Sequence, residues 1–415
     1  MHVTVFQSDE GDCLLLTGTG DHHVLVDGGM ARSFREHAAQ AISDLGELEV
    51  VYVSHVDEDH ISGVLQLIDD EFDWRVFEHR QKKGRDHPRP DNPRPPKLSR
   101  VWHNAFHAQV DQNSGPLEDL VIANAVLAAG SQALRTEALE LENLATSIPQ
   151  AIELSNRIGS AQLGLQHNEA RGALLMAGNG EDPLRVGPLT FTIIGPFEAE
   201  LNALRKDWTK FLEAGKNQPR LKKIREQALT DAKAIAASSA DDVLEHLEAR
   251  GRALGKVTVP NLASLMFHVE EEESGKTILL TGDGRHDTIL RGLEQMGKMQ
   301  EGGSLHVDVL KVPHHGALAN VTEEFCRRVT ADHYVFCGNG AHDNPEEQVV
   351  TWFIDSRLHD DREFKLWFNS HHSVAPTRLA PHMRMIEELV TRRAEELGGR
   401  MSFEFLTDHS FAFDV

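Results

Sequence analysis

The segment Val53-Ser54-His55-Val56-Asp57-Glu58-Asp59-His60-Ile61-Ser62-Gly63 constrains this chain more than any other. Four side chains able to bind metal, His55, Asp57, Asp59 and His60, fall within six positions. They follow the apolar run Leu48 to Val53 and precede an apolar-periodic stretch, so a strand runs into the cluster and a helix leaves it. In an extended-to-loop conformation His55 and Asp57 reach one cation, while Asp59 and His60 reach the next. Mixed imidazole and carboxylate donors suit Zn²⁺, Mn²⁺ or Fe. The alternative is a helix N-terminus at which the aspartates cap backbone amides. Capping accounts for one aspartate but not for two flanking histidines.

The chain's 415 residues leave room for one large domain with insertions, or for two domains. A formal net charge of -23 argues against a nucleic-acid binder that works by broad backbone neutralisation. It leaves a nuclease open, because metal cations and a local basic patch can carry the phosphate contacts. The positive charge concentrates between Arg80 and Lys97, a stretch read as a solvated loop rather than such a patch. Cys13, Cys326 and Cys337 are far apart and odd in number, which disfavours both a disulfide framework and a Cys-rich zinc site. No run of eighteen apolar residues marks a membrane span. Met1 to Phe6 reads as a strand and lacks the blocks of a signal peptide, so the expectation is a cytoplasmic protein without membrane association.

Strand signals occupy Met1 to Phe6, Cys13 to Thr17, His23 to Val26 and Leu48 to Val53, with a helix over 32–45. Ile61 to Ile68 suits a short helix, and Arg75-Val76-Phe77 suits a further strand. Residues 84–98, with Pro88, Pro90, Pro93, Pro95 and Pro96, form a connector that is neither helix nor central strand. Leu184 to Ile194 reads as a hairpin turning at Gly187-Pro188, and strands return at Ser264 to Val269, Thr277 to Leu280 and Val309 to Val312. Between these lie stretches rich in Ala, Leu, Glu and Lys. The expected organisation is one α/β domain with its core at about 1–106, 181–197 and 257–415, carrying helical insertions at 107–180 and 198–256.

Three further strand ends carry chemistry. Val24-Leu25-Val26-Asp27-Gly28-Gly29 places Asp27 either as a turn aspartate or as a carboxylate that orients metal-binding histidines. Thr277-Ile278-Leu279-Leu280-Thr281-Gly282-Asp283 ends in an aspartate whose two oxygens could bridge two cations. Val309-Leu310-Lys311-Val312-Pro313-His314-His315-Gly316 ends in two adjacent histidines, expected to point in different directions so that at most one reaches a metal.

Taken together, Asp27-Gly28-Gly29, the Ser54 to Gly63 cluster, Leu280-Thr281-Gly282-Asp283 and Lys311-Val312-Pro313-His314-His315-Gly316 resemble the metallo-β-lactamase superfamily. Within it they are similar to the hydrolase domain of the DNA-uptake competence protein ComEC and its soluble relatives. Gly11-Asp12-Cys13-Leu14-Leu15 and Asn261-x-x-Ser264-Leu265 share that likeness, which covers roughly residues 1–80 and 257–350. It implies an αββα sandwich with the metals at one edge of the two sheets. It further implies two divalent ions, Zn²⁺ first and Mn²⁺ as the alternative. One ion would take His55 and Asp57, the other Asp59, His60 and His314, with Asp283 bridging. Asp59 would orient or deprotonate the attacking water, Asp27 would support the histidines, and His315 and His342 are candidate catalytic groups.

Two departures stand out. Asp57 occupies a position where most of the superfamily has histidine, which hardens that site. The superfamily also supplies one more histidine between His60 and Asp283, for which His103 and His167 are candidates, each with an ordinary polar role as its alternative. The resemblance implies a metal-dependent phosphodiesterase or nuclease. A small-molecule ester, lactone or amide hydrolase is the alternative, and a module with a vestigial metal site that binds a protein partner through its insertions is the third. Expected partners are therefore a nucleic acid or small-molecule substrate, with a protein partner at the insertions.

Overall fold

The computed structural model describes residues 1–104, 154, 165–168, 174–178, 180, 182–202 and 263–415. The strands in chain order are β1 (His2–Phe6), β2 (Leu14–Gly18), β3 (His22–Val26), β4 (Glu47–Tyr52), β5 (Lys97–Trp102), β6 (Gln166–His167), β7 (Leu184–Val186) and β8 (Leu189–Gly195). They continue as β9 (Met266–Glu271), β10 (Thr277–Leu280), β11 (Leu305–Lys311), β12 (Val329–Phe336), β13 (Phe364–Phe368), β14 (Met401–Phe405) and β15 (Ser410–Asp414). One sheet has the order β15-β1-β2-β3-β4-β5-β6, and the other β14-β13-β12-β11-β10-β9-β8-β7.

The period of two along each strand divides the apolar residues between layers. In the first sheet Val24, Val26, Val50 and Tyr52 point to the space between the sheets, where they join Ile278, Leu280 and Val309 of the second. Leu25, Leu48 and Val51 point the other way, against Ile61, Val64 and Ile68 of the Glu58–Lys82 helix. Leu279, Leu310 and Tyr334 of the second sheet face Ile289 and Leu293 of the His286–Gln295 helix, with Phe353 and Ile386 from two later helices. Helix, sheet, sheet and helix thus form four layers, the αββα sandwich expected. Among the described residues no helix is long and apolar enough to cross a membrane.

Parallel pairing aligns the site. β3, β4 and β5 run parallel, as do β10 through β14, so their C-terminal ends share one edge of each sheet. The two edges are joined by the Leu265 amide, which donates to the Ser54 carbonyl at 2.7 Å, and by the buried Tyr52 hydroxyl, which donates to the Leu265 carbonyl. Gly63 lies against Gly28 so closely that a Cβ on Gly63 would stand 2.0 Å from the Gly28 oxygen. This glycine contact seats the start of the helix directly on the end of β3.

Two expectations need correction. Arg75-Val76-Phe77 is not a strand: the helix begun at Glu58 continues through it to Lys82. Glu58 and Asp59 in its first turn and His79, Arg80 and Lys82 in its last complement the helix dipole, and Glu71 pairs with Arg75 one turn on at 2.6 Å. Three residues, two of them apolar, are too short a window to separate the two periods. The basic connector is also not simply solvated. Asn92 accepts from Trp74 Nε1 at 3.0 Å, and Arg94 pairs with Glu71 and, at 2.9 Å, with Glu78. Its last residues, Lys97 and Leu98, begin the interior strand β5. The insertions at 107–180 and 198–256 lie largely outside the described residues, as does Asn261. Within the first, Gln166–His167 adds an edge strand to β5.

Asp70 sits under this connector and receives hydrogen bonds from Gln66 at 2.8 Å and Asn92 at 2.6 Å. Burial outweighs both bonds and pushes its carboxyl from 3.8 to about 6. A raised carboxyl pKa stabilises the fold below the unfolded value and withdraws that stability as pH rises through the folded value. Asp70→Asn is therefore expected to stabilise the protein by about 1–2 kcal/mol at pH 7.5 and by little at pH 4, as read from urea unfolding at the two pH values.

Candidate metal centre

Four imidazoles converge on one carboxylate where the two sheet edges meet. His55 Nε2 and His314 Nε2 each lie 3.5 Å from Asp283 Oδ2. His60 Nε2 and His315 Nε2 lie 3.4 and 3.6 Å from Asp283 Oδ1. The opposite nitrogen of three of the rings is hydrogen-bonded to an oxygen that fixes it, and that of His315 lies against a carboxylate. His60 Nδ1 donates to Asp27 Oδ2 at 3.0 Å, and His314 Nδ1 to Asn320 Oδ1 at 2.7 Å. Ser54 Oγ gives its hydrogen to Asp27 Oδ2 at 2.6 Å, which leaves its lone pair for His55 Nδ1 at 3.0 Å. His315 Nδ1 faces Asp12 Oδ1 at 3.3 Å. Outer oxygens beside Nδ1 in this way leave the Nε2 atoms turned inward.

Two further carboxylates complete the groups. Asp57 Oδ2 is 3.5 Å from His55 Nε2, while Asp59 Oδ2 is 3.1 Å from His315 Nε2 and 3.6 Å from His60 Nε2. Asp57 occupies the N-cap position of the Glu58–Lys82 helix but makes no side-chain capping hydrogen bond. The side chains therefore form two sets on one bridge: His55, Asp57 and His314 around Oδ2, and Asp59, His60 and His315 around Oδ1.

These donors fit divalent cations. His55 Nε2, His60 Nε2, His315 Nε2 and Asp283 Oδ1 are buried and make no well-aligned hydrogen bond. A buried polar atom left so costs about 1–3 kcal/mol, and four in one place define a space made for a charged guest. Asp12, His60, Asp283 and His315 can each offer an atom to one ion.

Charge is strongly perturbed here. Burial would lower the pKa of His315, but Asp283, Asp12 and Asp59 prevail and push it up to about 10. Burial likewise opposes, and the surrounding carboxylates of Asp283, Asp59, Asp12 and Asp27 outweigh it, in raising His60. Asp283 is held well below the usual carboxylate range, despite its burial, by the four histidines. Lys311 is the internal cation. Its Nζ pairs with Asp12 Oδ2, donates to the Gly282 carbonyl at 3.0 Å and lies 3.9 Å from Asp283 Oδ1. Burial opposes its charge, yet Asp12 and Asp283 raise it to about 12.

Backbone geometry explains how adjacent histidines reach one carboxylate. An extended strand would send His314 and His315 to opposite faces, as expected from the sequence. Both instead adopt left-handed conformations, with φ of 46° and 56°, so both rings face Asp283. Such residues cost on the order of 1–3 kcal/mol each and persist where the surroundings over-determine them. The same turn moves His314 away from the Asp59 and His60 group, where the resemblance put it, to the His55 side. Gly11 serves a comparable purpose: a Cβ there would stand 1.6 Å from the Asp59 carbonyl oxygen.

Three candidates remain. His342 is exposed in a left-handed turn, with φ of 54°, and among the described residues no ion pair joins it to the cluster. His103 is buried at the end of β5, its amide and carbonyl held by the Asn168 side chain at 2.8 and 2.7 Å. His167 Nε2 donates to the His103 carbonyl at 2.7 Å, which gives that ring a backbone partner. Asp12, Ser54 and Lys311 also join the site, although the motifs that contain them do not mark them as donors. A lysine inside the apolar run Val309 to Val312 is the available signal, since such a residue is buried only with a partner.

The two sheets with flanking helices are consistent with a metallo-β-lactamase sandwich fold. The family model described as the metallo-beta-lactamase superfamily matches residues 9–124 of this chain. That span contains Asp12, Asp27 and the His55 to His60 cluster, whereas Asp283, His314 and His315 lie beyond it. No curated protein matches the chain.

Removing the lysine charge takes from buried Asp12 its direct ion-pair partner and leaves only the His60 and His315 rings as positive neighbours. Lys311→Met is expected to cost about 3–5 kcal/mol in chemical denaturation of the metal-free protein. Asp27→Ala removes the acceptor that fixes His60, and is expected to weaken metal affinity by roughly 10–100-fold in a chelator competition.

Proposed function

We propose that this protein is a metal-dependent hydrolase with two divalent ions, Zn²⁺ or Mn²⁺, and that its substrate is a phosphodiester. The observation that carries the reading is Asp283, whose two oxygens each face a separate set of inward-turned donors. His55, Asp57 and His314 would hold one ion with Oδ2, and Asp59, His60 and His315 the other with Oδ1. Divalent cations so held lower the pKa of a bound water and neutralise charge on the attacked group.

The chain's own residues supply the rest. His314 and Asp59 are 27% and 18% exposed, against 5% or less for Asp57, Asp283 and Asp12, so the centre opens on their side. Substrate approaches there, and Asp59 is the carboxylate placed to orient the attacking water and take its proton. Asp27, Ser54 and Asn320 keep the rings in register during the reaction. His315, held between Asp12 and Asp59, belongs to the metal-holding set rather than to a free acid.

The motif resemblance to the ComEC hydrolase domain and the paired donor sets, suited to in-line displacement at phosphorus, support the phosphodiester. The net charge of -23 favours the second reading, a small-molecule ester or lactone, because it repels a polyanion at long range. The test is turnover by metal-loaded protein on single- and double-stranded DNA, RNA, bis-p-nitrophenyl phosphate and a lactone and ester panel. The expected result is phosphodiester hydrolysis that falls by about 10²–10⁴-fold in Asp59→Ala. Turnover confined to lactones or esters would replace the substrate assignment. Undiminished activity in Asp283→Asn would overturn the two-ion reading.

A further inference from the structure

His371 and His372 follow β13 in a loop, and Glu387 comes from the Ala380–Glu396 helix. In the sequence the two histidines lack a second donor at ligand spacing and read as surface or core residues. The fold supplies that donor from fifteen residues further on. His371 Nε2 lies 3.3 Å from Glu387 Oε2, and His372 Nδ1 lies 2.7 Å from the same oxygen. Each residue offers an atom within 4.8 Å of the others. His371 Nδ1 is engaged by Ser373 Oγ at 2.6 Å, which directs Nε2 to the carboxylate, and the ring stands edge-on to Phe405.

We propose that His371, His372 and Glu387 form a separate site for one borderline divalent cation such as Zn²⁺, Ni²⁺ or Cu²⁺. Two imidazoles and one carboxylate select this class over Mg²⁺ or Ca²⁺, which take all-oxygen shells. Bonds of about 2.0–2.1 Å in a tetrahedral shell separate ligand atoms by roughly 3.3 Å. The His371 to Glu387 distance already has that value, and the His372 to Glu387 hydrogen bond has only to open by about half an ångström. The three side chains are 17%, 24% and 31% exposed, so an ion can enter from solvent and keep an open position.

Two residues before His371, Asn369 donates to Ser8 Oγ at 2.8 Å and accepts from the Gly338 amide at 2.6 Å. Ser8 in turn donates to the Gly11 carbonyl, beside Asp12, at 2.6 Å. These hydrogen bonds link the segment that carries His371 to the Asp12 turn.

The test is metal stoichiometry and affinity for chelator-treated full-length protein titrated with Zn²⁺, Ni²⁺ or Cu²⁺. It compares the wild type with His372→Ala, Glu387→Gln and Asp283→Asn. The expected result is that His372→Ala and Glu387→Gln each lose one equivalent, or bind it at least tenfold more weakly, with ions at the Asp283 centre retained. Asp283→Asn is expected to keep the equivalent that those variants lose, which separates this site from the hydrolase reading. Anomalous diffraction from wild-type crystals soaked with Zn²⁺ or Ni²⁺ reads the position directly, independent of how the variants fold. A peak between His371 Nε2 and His372 Nδ1 is the outcome expected. Unchanged stoichiometry and affinity in both variants, or no peak there, would overturn the site.

Discussion

Everything at the centre of this protein depends on one carboxylate being approached by four imidazole nitrogens. Asp283 reaches that position because β10 ends there, and the histidines reach theirs because β4 and β11 end beside it on opposite sheets. Parallel strands within each sheet make the alignment automatic. The layers outside serve to keep these ends fixed: the Glu58–Lys82 helix rests on β3 through a glycine contact, and the Tyr52 hydroxyl bolts one sheet edge to the other. A centre built this way is held by rigid elements and fine-tuned by short loops, the arrangement that precise ligand geometry requires.

The sequence was a good guide wherever a periodic apolar run ended in unusual donors. The strands bearing Asp27, His55, Asp283 and His314 were legible because each pairs a β pattern with a polar terminus that a packed core has no use for. The pattern led to an α/β core, and the αββα layering came from the resemblance alone. Two kinds of information were hidden. The first was backbone conformation: nothing in Pro313-His314-His315-Gly316 announces consecutive left-handed residues, and without them the two rings diverge. The second was long-range partnership. Asp12 and Lys311 are 299 positions apart in the chain, and Glu387 meets His371 only after a helix has folded back on the second sheet.

Local errors had local causes. Val76 reads as part of a strand when its neighbours alone are considered, yet it belongs to a helix whose pairing of Glu71 with Arg75 and Arg94 operates over a longer span. Asp57 shows the opposite case. Its N-cap position suggested a capping role, but its side chain makes no capping bond and stands beside His55 instead. Position along a helix does not decide what a carboxylate does when a competing cation-binding group is within reach.

The buried Lys311 has a consequence for how such a centre is assembled. A nest of carboxylates would ordinarily repel itself until ions arrived, and folding would wait on metal. Here a permanent positive charge is delivered by the chain itself, from the end of β11, beside the raised imidazoles of His60 and His315, and it is anchored to a backbone carbonyl as well as to Asp12. The nest is thus partly neutralised from the moment the two sheets close. The positive charge that this buried carboxylate cluster needs is covalently part of the second sheet, carried in on the same strand that leads to His314 and His315.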